Sequence, residues 1–545
     1  MKLSKRTSAL VATAIAGAML MSACSGSDNS GNGGSSASTG GTFSVYIGEP
    51  ENPLIPGNTT ESEGDQVVNS LWTGLIQYAK DGSVQYTGVA DSIKSDDTIN
   101  WTIKLKDGWT FHDGTPVTAK SFVDAWNYTA YSPNAQQTSS FFDKIEGFSA
   151  LQAPTDADGN VTGEPTAKEL TGLKVVDDTT FTVKLASPFA QLPVILGYNP
   201  FFPLPESFFA DPAAFGKKPV GNGPFKADAE FVPGTGITLT RYDKYAGEDA
   251  AHADSVEYRV YAEQNTAYTD AQAGTLDVVD VIPPDAITSA KDEFGDRYLE
   301  NPSAQITFMG MPTYDPRYAD PRVRRAISMA VDRKAIADAI FNGTRAPADS
   351  FIAPVVDGYR KGVCDECKPD AKAANALLDE AGFDRSKPIE LWFNSGAGHD
   401  AWMQAVGNQL KQNLGVDYVL KGELEFAQYL PLLEGKGATG PFRYGWSMDY
   451  PSPQSYLEPL YTTGGSANYN YYSNPKFEAL VEEGNSASNN DDAVKAYQGA
   501  EDILLQDMPM IPMFFGLYQS VHSDKVDNVA IDIFGRVKVA DVTVK

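Results

Sequence analysis

The chain has 545 residues, 42% of them apolar, and a formal net charge of −28. That length exceeds what one hydrophobic core serves and implies two or three domains, while so acidic a surface argues against nucleic acid and anionic lipid as partners. No apolar stretch approaches the roughly 18 residues that span a bilayer.

Lys2, Lys5 and Arg6 open the chain, and an apolar run from Ala9 to Met21 follows. The run is too short for a membrane helix and fits the apolar region of a signal peptide. It ends at Met21-Ser22-Ala23-Cys24, which resembles a lipobox, although Leu is usual where Met21 stands. In such signals the Cys is diacylated and becomes the first residue after cleavage. The alternative is an ordinary signal cut after a small residue. Ser25 to Gly41 contains no apolar residue larger than Ala37, so it has nothing to bury. A flexible Gly/Ser segment of that length reaches about 20–25 Å. The expectation is a signal peptide over 1–23, then a lipidated Cys24 and tether over 24–41. Together they would hold a body on the outer face of the cell membrane.

Beyond the tether, strands dominate. Thr98 to Lys106 alternates, with Ile99, Trp101, Ile103 and Leu105 on one face, and Asp107-Gly108 closes it with a turn. Phe181 to Leu185 and the segment at Ile237 repeat the pattern. Ala153 to Lys168 is polar and reads as a surface excursion; its DADGN lacks the glycine spacing of an EF-hand loop. Helices dominate later. Asp320-Pro321 supplies an N-cap and an N1 proline, and Val323, Ala326, Ile327 and Ala330 form one apolar stripe. Arg322, Arg324 and Arg325 are expected on the solvated side of that helix. Asp332 reads as a second cap. Pro369 to Ala381 reads as a helix closed by Gly382. Of the three cysteines, Cys364 and Cys367 remain for a small structural disulfide among turn residues, as an export route favours.

No HExxH, P-loop or G-x-S-x-G occurs, and His112, His252, His399 and His522 have no metal-ligand spacing. The chain therefore reads as no enzyme, with no metal or other cofactor.

Leu105 to Trp126 (LKDGWTFHDGTPVTAKSFVDAW) resembles the signature of the extracellular solute-binding proteins of family 5, which serve peptide, nickel and some oligosaccharide ABC importers. Pro219–Phe225 (PVGNGPF), Arg241–Gly247, Asp320–Ile336, Pro369–Phe383 and Gly445–Pro453 (GWSMDYPSP) are similar to further family segments, in the family's order. The resemblance implies an α/β fold: the two-lobed periplasmic-binding-protein fold (type II, large three-domain variant), closing on ligand by a hinge. It places lobe one in 42–56, 186–300 and 519–545, an extra domain in 57–185 and lobe two in 301–518. The crossings would lie near Asn301 and Tyr518.

The resemblance also implies a ligand site. An extended peptide offers the same backbone groups whatever its sequence, and its desolvated α-ammonium needs a carboxylate. In peptide-binding members the Asp of Trp-x-x-Asp serves, which here is Asp449 with Trp446. Ser447 and Tyr450 share that loop. Phe426 and Tyr429 occupy positions similar to pocket aromatics. Thr60, Glu61 and Ser62 fall in the segment Asn58–Glu63, which resembles the one lying along the ligand backbone. Asp449 could instead cap a turn ahead of Pro451. The competing ligands are an oligosaccharide, stacked on Trp446, Tyr469, Tyr471 and Tyr472, and a nickel complex. The implied partners are a peptide and the importer's permease and ATPase subunits, with the protein acting as a monomer.

Overall fold

The computed structural model describes residues 40–545 except 81, 157–159, 284 and 397. The signal peptide, Cys24 and nearly all of the tether lie outside the described residues.

Numbering the elements used below in chain order, the first part contains β1 (Thr42–Ile47), α1 (Ser62–Leu71), β2 (Ala90–Ser95), β3 (Asn100–Leu105), α2 (Ala119–Ala130), β4 (Leu173–Asp177) and β5 (Thr180–Lys184). β6 (Phe225–Ala227), β7 (Gly236–Arg241), β8 (Ser255–Val260), β9 (Val278–Val279) and β10 (Tyr298–Gly310) follow. Then come α3 (Pro321–Met329), β11 (Arg345–Pro347), α4 (Ala371–Ala381), β12 (Ile389–Trp392), β13 (Tyr418–Lys421), α5 (Phe426–Glu434), β14 (Phe442–Trp446), α6 (Gln454–Tyr461) and β15 (Met510–His522).

The alternation read near Thr98 is β3: Trp101, Ile103 and Leu105 are buried, while Asn100, Thr102 and Lys104 are exposed. It is an inner strand of a four-stranded antiparallel sheet in the order β2-β3-β5-β4. The large sheet has eleven strands, ordered β13-β12-β14-β10-β15-β9-β1-β8-β7-β6 with β11 also on β15. β10 and β15 are each 13 residues long and pair antiparallel across two hydrophobic cores. One core gathers residues such as Val45, Trp72, Ile103 and Tyr258. The other gathers Ile306, Phe308, Trp402, Tyr456 and Phe514. Between Pro302 and Ile306 the ladder shifts register, and just before the shift Asn301 stands opposite Tyr518. An irregularity of this kind bends a strand pair, so the chain turns between its two cores there.

The helix signals act as their chemistry requires. Asp320, Asp332 and Asp370 each accept an amide hydrogen at the start of a helix, and Gly382 ends α4 with φ 64°. α4 starts at Ala371 rather than Pro369, because Asp370 is its cap. Arg324 corrects the expectation of a solvated face. It is 4% exposed, and its guanidinium donates to the carbonyls of Tyr318 (2.8 Å), Ala319 (2.7 Å) and Asp507 (2.8 Å). Cys364 and Cys367 form a buried disulfide. Among the described residues no helix is long and apolar enough to cross a membrane.

Candidate ligand-binding site

β14 carries Trp446 to the bend by pairing it with Ile306 of β10. The loop after β14 turns back through Ser452 into α6, whose Tyr456 hydroxyl donates to the Ala304 carbonyl (2.6 Å). This fastens the loop beside the register shift. A cavity of about 540 Å³ opens there, lined by Trp446, Asp449 and Tyr450 together with Lys144, Phe189 and Glu458 from both sides of the bend. Lys144 lies 3.4 Å from Glu458, and Ser452 donates to Gln191 (2.7 Å), so polar contacts close the floor between the two cores. A larger cavity of about 1090 Å³ lies alongside, walled by Gln66, Tyr78, Asn301, Pro302, Val355 and Arg536.

Asp449 is half-buried. Its amide donates to Ser455 Oγ (3.2 Å). Burial alone pushes its carboxyl up to about 6, and no cation contributes to that environment. A desolvated carboxylate facing a cavity without a counter-ion attracts a cation. Trp446 donates its indole N–H to the Ser455 carbonyl (2.7 Å), which orients the ring at the cavity wall. Tyr450 is 6% exposed and hydrogen-bonds Gln454. Ser447 is exposed and outside both cavities.

Other expected site residues lie elsewhere. Tyr429 is 1% exposed, and its hydroxyl donates to the Arg443 carbonyl (2.9 Å). It packs in the second core and lines neither cavity, which corrects its assignment as a pocket aromatic. Phe426, one turn earlier on α5, is 53% exposed and likewise lines neither. Glu61 caps α1 by accepting from the Gly64 amide (3.2 Å), between exposed Thr60 and Ser62. These three also stand outside both cavities. Of the tyrosines considered for sugar stacking, Tyr472 is buried on Asp507 (2.6 Å) and Tyr469 packs edge-on against Tyr444. Tyr471 hydrogen-bonds the Glu434 carbonyl.

Two residues went unread in the sequence. Arg345 begins β11 and Arg443 lies on β14; burial holds both guanidiniums below the usual arginine range, and the charge of Arg443 lowers Arg345 further. Arg443 Nε is buried without a hydrogen-bond partner. Beside them, burial and then the two arginines press His399 down to about 4. Two neighbouring desolvated cations favour an anion beside them, although neither lines the two cavities above. The only sequence signal was a charged residue inside an otherwise apolar strand, and its meaning depended on β11 being brought to the same sheet.

Comparison with known proteins agrees with this architecture. The model of the bacterial extracellular solute-binding proteins, family 5 (Middle), matches residues 85–468. The probable deoxycholate-binding periplasmic protein YgiS of Escherichia coli is 30% identical over 479 residues, 85% of each chain. The oligopeptide-binding protein OppA of Bacillus subtilis is 25% identical over 538 residues, covering 95% of this chain and 96% of its own. Among solved structures, the unliganded open form of the murein tripeptide-binding protein MppA superposes with a TM-score of 0.83 at 23% identity, covering 93% of this chain and 98% of that one. A second MppA structure, that of the Escherichia coli protein, gives 0.69.

Proposed function

From the premise that the chain belongs to the bacterial extracellular solute-binding proteins, family 5, which bind solutes and are not enzymes, we propose that it captures short peptides outside the cytoplasm and delivers them to the permease of an ABC importer. The observation that carries this reading is Asp449, a desolvated carboxylate with no counter-ion at the wall of a cavity between two cores. A peptide's α-ammonium supplies the missing charge. In this reading Arg345 and Arg443, which line neither cavity, donate to the carboxylate at the opposite end, and the ligand is charged at both termini. The similarity to OppA of Bacillus subtilis supports the same ligand class.

Binding requires closure. In this reading β10 and β15 serve as the hinge and 301–518 as the moving lobe, which the register shift just after Asn301 and Tyr518 supports. Cys24, acylated, and the Gly/Ser tether would keep a monomeric protein within reach of the permease at the outer membrane face.

A second reading follows from the similarity to YgiS: a steroid carboxylate on the two arginines, leaving Asp449 unanswered. Calorimetry with tri- and tetrapeptides, deoxycholate and a xylo-oligosaccharide separates these. Peptide binding with neither competitor engaged is the expected outcome. Deoxycholate or sugar binding without peptide binding overturns the proposal.

A further inference from the structure

One acidic pair has no role in the site just described. β1 and β9 run parallel, with Val45 opposite Val278. Their carboxyl ends lead directly into Gly48 and Asp280. In open sheets, ligands are met beyond the carboxyl ends of parallel strands. Glu63, in the first turn of α1, lies over Gly48: a Cβ added there would come within 3.1 Å of its Oε1. Asp280 Oδ1 is buried and has no hydrogen-bond partner. Burial pushes Asp280 up to about 7 against backbone hydrogen bonds from its own amide and that of Val281, with Glu63 adding to the rise, and no lysine or arginine is among the groups acting on it. Tyr46 and Tyr258 are the other ionisable side chains that feel this carboxyl.

β15 adds an independent observation. On one edge it last meets β9 where Val521 faces Val279, and first meets β11 where Gly516 faces Arg345. Ser520 lies in the interval, one step along the register from the Val279 pair, which sets it across from Asp280. Ser520 is fully buried and its hydroxyl has no partner. A polar group left bare inside a protein is costly, so the Asp280 oxygen and the Ser520 hydroxyl, set opposite each other and both unanswered, indicate a missing partner. A primary ammonium, with three donors, matches two carboxyls and a hydroxyl oxygen. From Ser520 to Gly516 is four residues of strand, roughly 13 Å. A peptide whose carboxylate lies on Arg345 and Arg443 therefore brings a long neighbouring side chain within reach of Asp280.

We propose that Asp280 and Glu63, with Ser520, form a subsite for a cationic side chain of the bound peptide, of the lysine type. This rests on the peptide reading above and adds a preference to it. Calorimetry on the exported chain with trialanine, and with lysine or norleucine placed at each position in turn, tests it. At one position lysine should bind at least about tenfold tighter than norleucine, which has the same chain without the charge. Asp280→Asn and, separately, Glu63→Gln should bring that ratio toward one; the ratio is the readout, not the affinity. The wild-type ratio needs no substitution, so a misfolded variant leaves the test intact. Peptides that bind with no lysine preference at any position overturn this inference and leave the peptide reading standing. A lysine preference that both variants retain overturns the assignment to these residues. No peptide binding at all overturns the peptide reading itself.

Discussion

The second core and the cleft beside it treat buried arginines in opposite ways. Arg324 and Arg333, 4% and 2% exposed, are surrounded by carbonyls. Arg333 donates to Pro512 (2.6 Å), Cys367 (2.7 Å) and Ser328 (3.1 Å). Those bonds replace water and tie α3, the disulfide loop and β15 together. Arg345 and Arg443 are desolvated as well, yet the charge of Arg443 bears on Arg345, and Arg443 keeps a bare Nε. The carboxylates divide in the same way. Asp320, Asp332 and Asp370 are spent on helix amides, whereas Asp449 answers nothing but its own burial. Charges that the chain itself satisfies hold the fold together, and the unanswered Asp449, Arg345 and Arg443 are the ones proposed for the ligand.

Substitutions should separate the two groups. Arg333→Met strips the donors from several buried carbonyls and should cost about 3–5 kcal/mol in urea unfolding. Arg443→Met should leave unfolding within about 1 kcal/mol of wild type, or raise it, because it removes an uncompensated charge. Its effect should appear in binding instead, as an approximately 10–100-fold loss for a free-carboxylate peptide but not for its C-terminal amide. Equal destabilisation by the two changes would break the comparison. Reducing the Cys364–Cys367 disulfide frees a short loop with a sequence separation of 3. It should cost no more than about 2 kcal/mol and leave affinity unchanged, as thermal melts and calorimetry with and without reductant would report.

The smallest effect has an unusual sign. The Asp449 carboxyl is raised from 3.8 to about 6 in the folded protein. The unfolded chain thus releases this proton first as pH rises, and the unliganded fold loses stability between about pH 4 and 6. Asp449→Asn should stabilise the unliganded protein by about 1–2 kcal/mol at pH 7.5, after discounting for partial exposure, and by nothing near pH 3. A loss of stability at pH 7.5 would place Asp449 with the structural group.

Local features were legible because their causes are local. The alternation of β3, the Asp caps and Gly382 follow from neighbours within a few residues, and the family resemblance rests on several local segments in order, beginning with Leu105–Trp126. The Trp-x-x-Asp spacing made Asp449 legible as a candidate. Arg443, Arg345 and Asp280 were not, because their meaning comes from strands distant in sequence that meet only on β10 and β15. Tyr429 failed for a related reason: which face of α5 turns inward depends on how the helix packs under β14. Arg324 looked solvated in the pattern around it, and only its reach to the Asp507 carbonyl makes it buried structure.

The most direct test of the central claim crosses one ligand change with one residue change. Calorimetric titration of a tripeptide and its N-acetylated form, each against wild type and Asp449→Asn at pH 7.5, isolates the ammonium–carboxylate pair. Either change alone should weaken binding about 100-fold or more, and the second should add little once the first is made. Unchanged affinity after acetylation or after Asp449→Asn would contradict it.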